Sequence, residues 1–191
     1  MGAPSPATSL VAVVHFPRLD RADLDGFRRD HDPFAASIPE HVTLLFPVPA
    51  TPGEVEAHTR GVAERVAPFD LHIAGLRRTW DHWLYLSMRE GRDRIVRLHE
   101  QLYSGPLARH RREDLPFEPH IAIGFFGIGP YDPLDPEPIE LDRDAYDRAR
   151  ARAQRLAVDA WIRVDTLSVV GFDPSTGAVE DLAEVRLGRP T

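Results

Sequence analysis

Two short runs of the chain each have a histidine at their third position and share one pattern of residue types. They are Pro39-Glu40-His41-Val42-Thr43-Leu44-Leu45-Phe46 and Glu118-Pro119-His120-Ile121-Ala122-Ile123-Gly124-Phe125. Imidazole has a reference pKa of about 6.5, so it can accept or donate a proton near neutral pH. Two histidines in matching surroundings therefore predict one shared site, at which one ring acts as a general base and the other as a general acid.

Alternation of side chains along an extended strand predicts which residues of each run share a face. The open face should carry both histidines, and its predicted members are His41, Thr43, Leu45, His120, Ala122 and Gly124. The other face should pack against helices, and its predicted members are Val42, Leu44, Phe46, Ile121, Ile123 and Phe125.

The doublet resembles the two-histidine phosphoesterase superfamily, which includes 2′-5′ RNA ligase-like proteins and carries His-x-Thr/Ser-x once per half. The run from His41 to Leu44 matches every position, whereas Ala122 stands where the family places a hydroxyl. The resemblance implies that His41 and His120 are a catalytic pair that hydrolyses, or reversibly forms, a 2′,3′-cyclic phosphate or a 2′-5′ linkage. It implies that Thr43 holds the phosphate, that no metal or cofactor is needed, and that the ligand is a small cyclic nucleotide or a short RNA end.

The resemblance also implies an α+β fold with two pseudo-symmetric lobes, each an antiparallel β-sheet backed by helices, facing each other across a central cleft. We expect one two-lobed domain over residues 1–191, with a flexible tail at 1–8. The residues themselves favour α+β over a doubly wound parallel sheet, because no glycine-rich strand-to-helix loop occurs and short strand-strand connections are frequent.

Hydrophobic periodicity and turn residues predict the boundaries of the elements. Strands are predicted at 9–16, 41–48, 70–77, 82–88, 119–126, 161–172 and 179–187. Helices are predicted at 23–36, 51–66, 92–103 and 143–157, and a Pro- and Asp-rich link at 129–138.

Other polar and aromatic side chains are candidates for holding the substrate. A hydroxyl that replaces the one missing at Ala122 could come from Thr166, Ser168, Tyr85 or Ser87. Trp83 and Tyr85 lie opposite the apolar face of their strand and could stack a nucleobase, although aromatics in such a pattern also serve ordinary packing between elements.

Composition excludes several kinds of chemistry. The chain has no cysteine, and all of its basic residues other than histidine are arginine. Thiolate metal sites, disulfides, Walker A loops, Schiff bases and lysyl-adenylates are therefore excluded. A net charge of −7 opposes tight, non-specific binding to long nucleic acids. The basic cluster Arg109-His110-Arg111-Arg112 is either the solvated end of a helix or a source of positive potential near His120.

Three alternatives to the acid-base enzyme need consideration. A metal site could involve Asp30-His31-Asp32, but no His-Glu-x-x-His helix is present. A serine hydrolase is disfavoured because no Gly-x-Ser-x-Gly turn occurs. A binding module that captures a nucleotide without turning it over stays open because of Ala122.

The apolar stretch at 10–14 is too short to cross a bilayer and follows no basic residues, so we expect a cytoplasmic protein with no membrane partner.

Overall fold

Helices separate single strands, a pair of strands and a run of three strands along the described part of the chain. The computed structural model describes residues 10–113, 116–129, 140–174 and 176–188, so the tail predicted at 1–8 and most of the link predicted at 129–138 lie outside it. The strands are β1 Leu10–His15, β2 Val42–Val48, β3 Phe69–Arg78, β4 Trp83–Met88, β5 His120–Phe125, β6 Asp159–Val164, β7 Thr166–Asp173 and β8 Ala178–Arg186. The helices are α1 Ala22–His31, α2 Pro52–Ala63, α3 Arg92–Leu102, a 3-10 helix at Gly105–His110, and α4 Arg143–Leu156.

The strands form two antiparallel sheets, with the orders β2-β1-β7-β8 and β5-β4-β3-β6. The units β1-α1-β2 and β4-α3-β5 correspond, and each helix packs behind the histidine strand of the other sheet: α1 against β5 and α3 against β2. This confirms the predicted α+β fold with two sheets backed by helices. No helix among the described residues combines the length and apolar character that a membrane span requires.

Two predicted boundaries were wrong. The helix predicted at 23–36 ends at His31, because Pro33 disfavours a helical conformation at Asp32, which is extended with φ −104° and ψ 113°. The strand predicted at 161–172 is two strands, since β6 belongs to the second sheet and β7 to the first. The single residue Asp165 separates them, and the alternating pattern continues across it.

Each histidine strand contains a β-bulge at the same position of its motif. In β2, Val14 pairs with Thr43 and Val13 pairs with Leu45, so Leu44 is the extra residue. In β5, Tyr85 pairs with Ala122 and Leu84 with Gly124, so the extra residue is the one between them, Ile123. A bulge adds one residue to one strand only, and the side chains that directly follow it therefore change face.

The bulges make the predicted faces wrong beyond the fourth residue of each motif. Leu45 lies in the helix-facing core, and Gly124 faces α1, where a Cβ atom would come within 2.9 Å of the His31 Cβ. The phenylalanines move the other way: Phe46 lines the cleft, and Phe125 pairs with Trp83, which also lines it. The predictions for the first three residues of each motif hold.

Candidate active site

His41 and His120 line one cavity, which lies between the two sheets and has a volume of about 360 Å³. His41 directly precedes β2, His120 begins β5, and these two strands contact each other. Thr43 and Ala122 line the same cavity. The structure thus brings together the four residues of the two motifs, and the cavity has the size of a small-ligand site.

The two histidines have equivalent hydrogen bonds. His41 Nδ1 donates to the Pro39 carbonyl at 2.9 Å, and His120 Nδ1 donates to the Glu118 carbonyl at 2.6 Å. A carbonyl oxygen only accepts, so each Nδ1 must carry the proton of the neutral ring. Nε2 is therefore the atom that gains or loses a proton in both residues, as a pair of acid-base groups requires.

Burial is the main influence on both rings and lowers the pKa of His41 and of His120 below the usual 6.5. The neighbouring charges differ. At His41, Arg28 and His120 lower the pKa further, while Asp32 opposes them. At His120, Asp81 and Glu118 act only to raise the pKa. The charges next to His120 thus favour its protonated form, whereas Arg28 and His120 oppose the protonated form of His41.

A buried ion pair supports the loop that leads to His41. The Arg28 guanidinium contacts the Asp32 carboxylate at 2.7 Å, and both side chains are almost fully buried. Arg28 also donates to the Ile38 carbonyl at 3.0 Å, and Asp32 accepts from the backbone nitrogen of Phe34. These bonds hold residues 32–38 in one conformation and so help to fix the direction from which His41 enters the cleft.

The position of Ala122 is next to a buried tyrosine. Tyr85 pairs directly with Ala122 across β4 and β5, and its ring centroid lies 4.9 Å from that of His120. Tyr85 is buried and does not line the cavity. Burial raises the pKa of its hydroxyl. Tyr85 therefore packs against the His120 ring and is not among the aromatics that line the cavity.

Among the other predicted hydroxyl donors, Ser87 pairs directly with His120 across β4 and β5, but neither it nor the other two line the cavity. Ser168 pairs with Val14 on the cleft side of the first sheet, but neither Ser168 nor Thr166 lines the cavity. The Thr166 carbonyl accepts from His15 Nδ1 at 2.9 Å. The Ser87 hydroxyl donates to the Ala74 carbonyl at 2.7 Å.

The aromatic residues exposed in the cleft are not the two that the sequence predicted to stack a nucleobase. Trp83 lines the cavity but is only 7% exposed, because it stacks on Phe34 and contacts Phe125. Trp80, which is 55% exposed, and Phe46, which is 44% exposed, present their rings to the cavity. The sequence feature that could have identified Trp80 as a cleft residue is its position within a turn, where large apolar side chains are unusual. For Phe46, the corresponding feature is that a phenylalanine lies five positions after each of the two histidines.

The basic cluster reaches the cleft in part. His110, Arg111 and Arg112 line the cavity, at the end of the 3-10 helix. Arg109 is directed elsewhere, since its guanidinium donates to the Glu54 carboxylate at 3.0 Å. Three residues of the cluster thus line the cavity, and the charge of Arg111 acts on His99 there; an effect of the cluster on His120 stays a prediction.

The acidic and histidine side chains proposed for a metal site are dispersed. Asp30 pairs with Arg152 at 2.6 Å, and Asp32 pairs with Arg28. The His31 ring packs between Phe27 and Phe126. Within the described ranges, no three His, Asp or Glu side chains are arranged to hold a metal ion.

Comparison of structures places the fold among known ones. The structure of LigT from E. coli complexed with NADP+ is 21% identical, covers 97% of this chain and 100% of that one, and has a TM-score of 0.57. A protein from Thermus thermophilus is 19% identical, covers 95% of this chain and all of that one, and has a TM-score of 0.61. At these identities the comparison shows a shared fold.

Comparison of sequences identifies relatives and a family. Proteins named "Putative phosphoesterase" from Bacillus cereus and Geobacillus thermodenitrificans are each 30% identical; they align with 60% and 59% of this chain and with 68% and 66% of their own lengths. The model of the 2′-5′ RNA ligase superfamily matches residues 16–174, which include both histidine motifs. The chain therefore belongs to the 2′-5′ RNA ligase superfamily.

Proposed function

We propose that this protein is a metal-independent phosphoesterase that acts on a 2′,3′-cyclic phosphate or a 2′-5′ phosphodiester of a nucleotide or a short RNA end. One observation carries the proposal: His41 and His120 enter one cleft with Nδ1 bound to a carbonyl in the same way, so both Nε2 atoms remain for proton transfer. The relatives named phosphoesterases support the reaction class.

The charges around the two rings support an assignment of roles. His41, whose protonated form Arg28 opposes, is the general base, and its Nε2 takes a proton from the attacking water. The oxygen of that water forms a bond to phosphorus while one ribose oxygen leaves. His120, whose protonated form Asp81 and Glu118 favour, gives its Nε2 proton to the leaving oxygen. With a 2′,3′-cyclic phosphate the product is a nucleoside 2′- or 3′-monophosphate. His41 has gained the proton that the water lost, His120 has lost the proton that the ribose oxygen gained, and exchange with solvent restores both rings.

The ligands are proposed to be small nucleotides. Structures of E. coli LigT contain ATP, 3′-AMP and NADP+. In the present protein, Thr43 would donate to a non-bridging phosphate oxygen, and the exposed ring of Trp80 offers a surface on which a nucleobase can stack. Membership of this superfamily and the cleft geometry both support this ligand class.

The test is the hydrolysis, in EDTA, of the four nucleoside 2′,3′-cyclic monophosphates and of a 2′-5′-linked dinucleotide. The native chain is compared with His41→Ala, His120→Ala and the control His72→Ala, whose ring stacks on Trp161 away from the cleft. We expect turnover that survives chelation and is lost only in the first two variants. Turnover that EDTA abolishes, or that both variants retain, would overturn the proposal.

A second candidate function is nucleotide binding without turnover. Ala122 favours it, because one half of the site lacks the hydroxyl that would hold the phosphate. In that case, the native chain is inactive while the cyclic nucleotides raise its melting temperature. An inactive chain with no such shift would exclude both functions for these ligands.

A further inference from the structure

We propose that one end of the cleft is a second anion subsite, formed by Arg111 and Arg112 beside His110, which binds a phosphate of the substrate other than the reacting one. The inference rests on the proposed function in taking the reacting phosphate to lie between His41 and His120. The substrate class is then a phosphodiester whose nucleoside carries a further phosphate.

The position of the cluster follows from the contacts of His99. His99 is buried, lines the cavity and donates from Nδ1 to the Leu44 carbonyl at 2.9 Å. Leu44 directly follows Thr43 in the bulge of β2. The charge of Arg111 acts on His99 and helps burial to lower its pKa. Arg111 therefore lies within electrostatic reach of His99, whose ring is hydrogen-bonded to the strand that carries Thr43.

The segment that presents the cluster is firmly attached to the fold. Leu107 of the 3-10 helix is fully buried, and Arg109 binds the Glu54 carboxylate of α2 at 3.0 Å. The preceding turn is tied to α2 as well, since His58 Nε2 lies 3.1 Å from the Leu102 carbonyl. A cluster held in this way loses little conformational entropy when it binds a ligand.

Arg111 and Arg112 add two positive charges to the lining of the cavity. Among the residues that the structure describes, three carboxylates line the same cavity: Asp32 pairs with Arg28, Glu118 pairs with Arg92 at 3.0 Å, and Asp81 acts on His120, whose pKa it raises. Arg111 forms no ion pair with a carboxylate within the described ranges. His110 Nε2 is buried there without a hydrogen-bond partner among the described groups. A ligand oxygen would satisfy both groups.

Phosphate is the anion that suits this end. The planar guanidinium of arginine offers a fork of N–H donors that matches phosphate oxygens. In a protein with a net charge of −7, a local positive region also directs anionic ligands to one place. The further phosphate could be a 5′-terminal monophosphate or an internucleotide diester, because both present the same oxygens.

Binding and turnover are measured with ligands that differ only in the further phosphate. For binding, 3′-AMP is compared with adenosine 3′,5′-bisphosphate by calorimetry. For turnover, adenosine 2′,3′-cyclic phosphate is compared with its 5′-phosphorylated form and with a dinucleotide that ends in a cyclic phosphate. The proteins are the native chain, Arg111→Gln/Arg112→Gln, and the control Arg97→Gln, which removes the charge of an exposed arginine of α3 outside the cavity.

We expect the native chain and the control to prefer the ligand with the further phosphate by about tenfold or more, and the double variant to show little preference. Preference for the 5′-monophosphate or for the dinucleotide identifies which phosphate is bound. No preference in the native chain would overturn the subsite, as would an equal loss for all ligands in the double variant. If nothing is hydrolysed but the bisphosphate preference appears and depends on the arginines, the subsite stands and the proposed catalysis fails.

Discussion

Two influences act on the protonation of both His41 and His120: a backbone carbonyl bonded to Nδ1, and burial of the ring. The Pro39 and Glu118 carbonyls fix the proton on Nδ1, while burial disfavours the second proton on Nε2. A base must be neutral to act and an acid must be protonated, so the two lowered pKa values define the range of pH in which the pair works.

The first prediction concerns the pH dependence of kcat/KM. Activity should fall on the acid side as His41 becomes protonated, and on the alkaline side as His120 loses its proton. Because both pKa values are lowered from 6.5, the maximum should lie below pH 6.5. A pH series with a saturable cyclic nucleotide measures this, and a maximum above pH 7 would contradict the account.

The second prediction compares the matching positions Thr43 and Ala122. Thr43→Ala should lower kcat/KM by roughly ten- to a hundredfold, because a hydrogen bond to a charged phosphate contributes about 1.5–3 kcal/mol. Ala122→Ser should leave kcat/KM unchanged or raise it, since Ala122 lines the cavity next to His120. Steady-state kinetics of both variants provide the measurement. A large loss in Ala122→Ser would show that Ala122 is packed too tightly to face a ligand.

At the scale of elements, the bulges in β2 and β5 decide which side chains enter the cleft. Each bulge directly follows the third residue of a His-x-Thr-like motif, at Leu44 and at Ile123. It turns the next residue, Leu45 or Gly124, towards the helices and the following phenylalanine towards the cleft. At Gly124 this brings β5 into close contact with α1.

The third prediction tests that contact. Gly124→Ala should lower the free energy of unfolding by about 1–3 kcal/mol, because its Cβ would lie 2.9 Å from the His31 Cβ. The matched control is Gly61→Ala in α2, where nothing lies within 4 Å of the added atom and a gain of roughly 0.5–1 kcal/mol is expected. Urea unfolding measures both. Equal stability of the Gly124 variant and the native chain would show that β5 does not have this register.

The bulges also mark the limit of what the sequence could predict. Alternation correctly placed His41, Thr43, His120 and Ala122 on one face, because these residues precede the bulge. A bulge depends on the register with the neighbouring strand, and neither Leu44 nor Ile123 differs in type from an ordinary strand residue. The sequence also did not show that the strand predicted at 161–172 divides at Asp165, because β6 and β7 alternate without a turn signal between them.

At the scale of the whole molecule, two sheets and their helices enclose several histidines as well as the cleft. His15 and His99 are buried, and burial is the largest of the influences that lower their pKa values. The folded state therefore binds fewer protons than the unfolded state when the pH falls below about 6.5.

The fourth prediction is that the protein loses stability as the pH falls. The stabilisation is complete above the unfolded-state pKa of about 6.5 and is lost as the pH falls towards the folded-state values, by up to about 1.4 kcal/mol per pH unit for each buried histidine. Urea unfolding between pH 7.5 and 5.5 measures the slope. His15→Asn, which keeps a donor for the Thr166 carbonyl but does not titrate, should have a smaller slope. A stability that is constant over this range would contradict the prediction.

Sequence and fold agree best on the overall plan. The family resemblance carried by the two histidine runs implied two matching lobes, and the order β1-α1-β2 and β4-α3-β5 shows that plan. The interchange of the helices, with α1 behind β5 and α3 behind β2, could not be predicted, because it depends on how the two lobes dock. The exposed rings of Trp80 and Phe46 depend on the same docking.

The most direct test of the central claim is a double-variant cycle of His41→Ala and His120→Ala, with kcat/KM measured on a cyclic nucleotide and folding checked by circular dichroism. If the two rings act as one acid-base pair, each single variant should lose about 10²–10⁴-fold, and the double variant should lose little more than the worse single variant. Losses that multiply in a folded double variant would contradict the account, because the two histidines would then act independently.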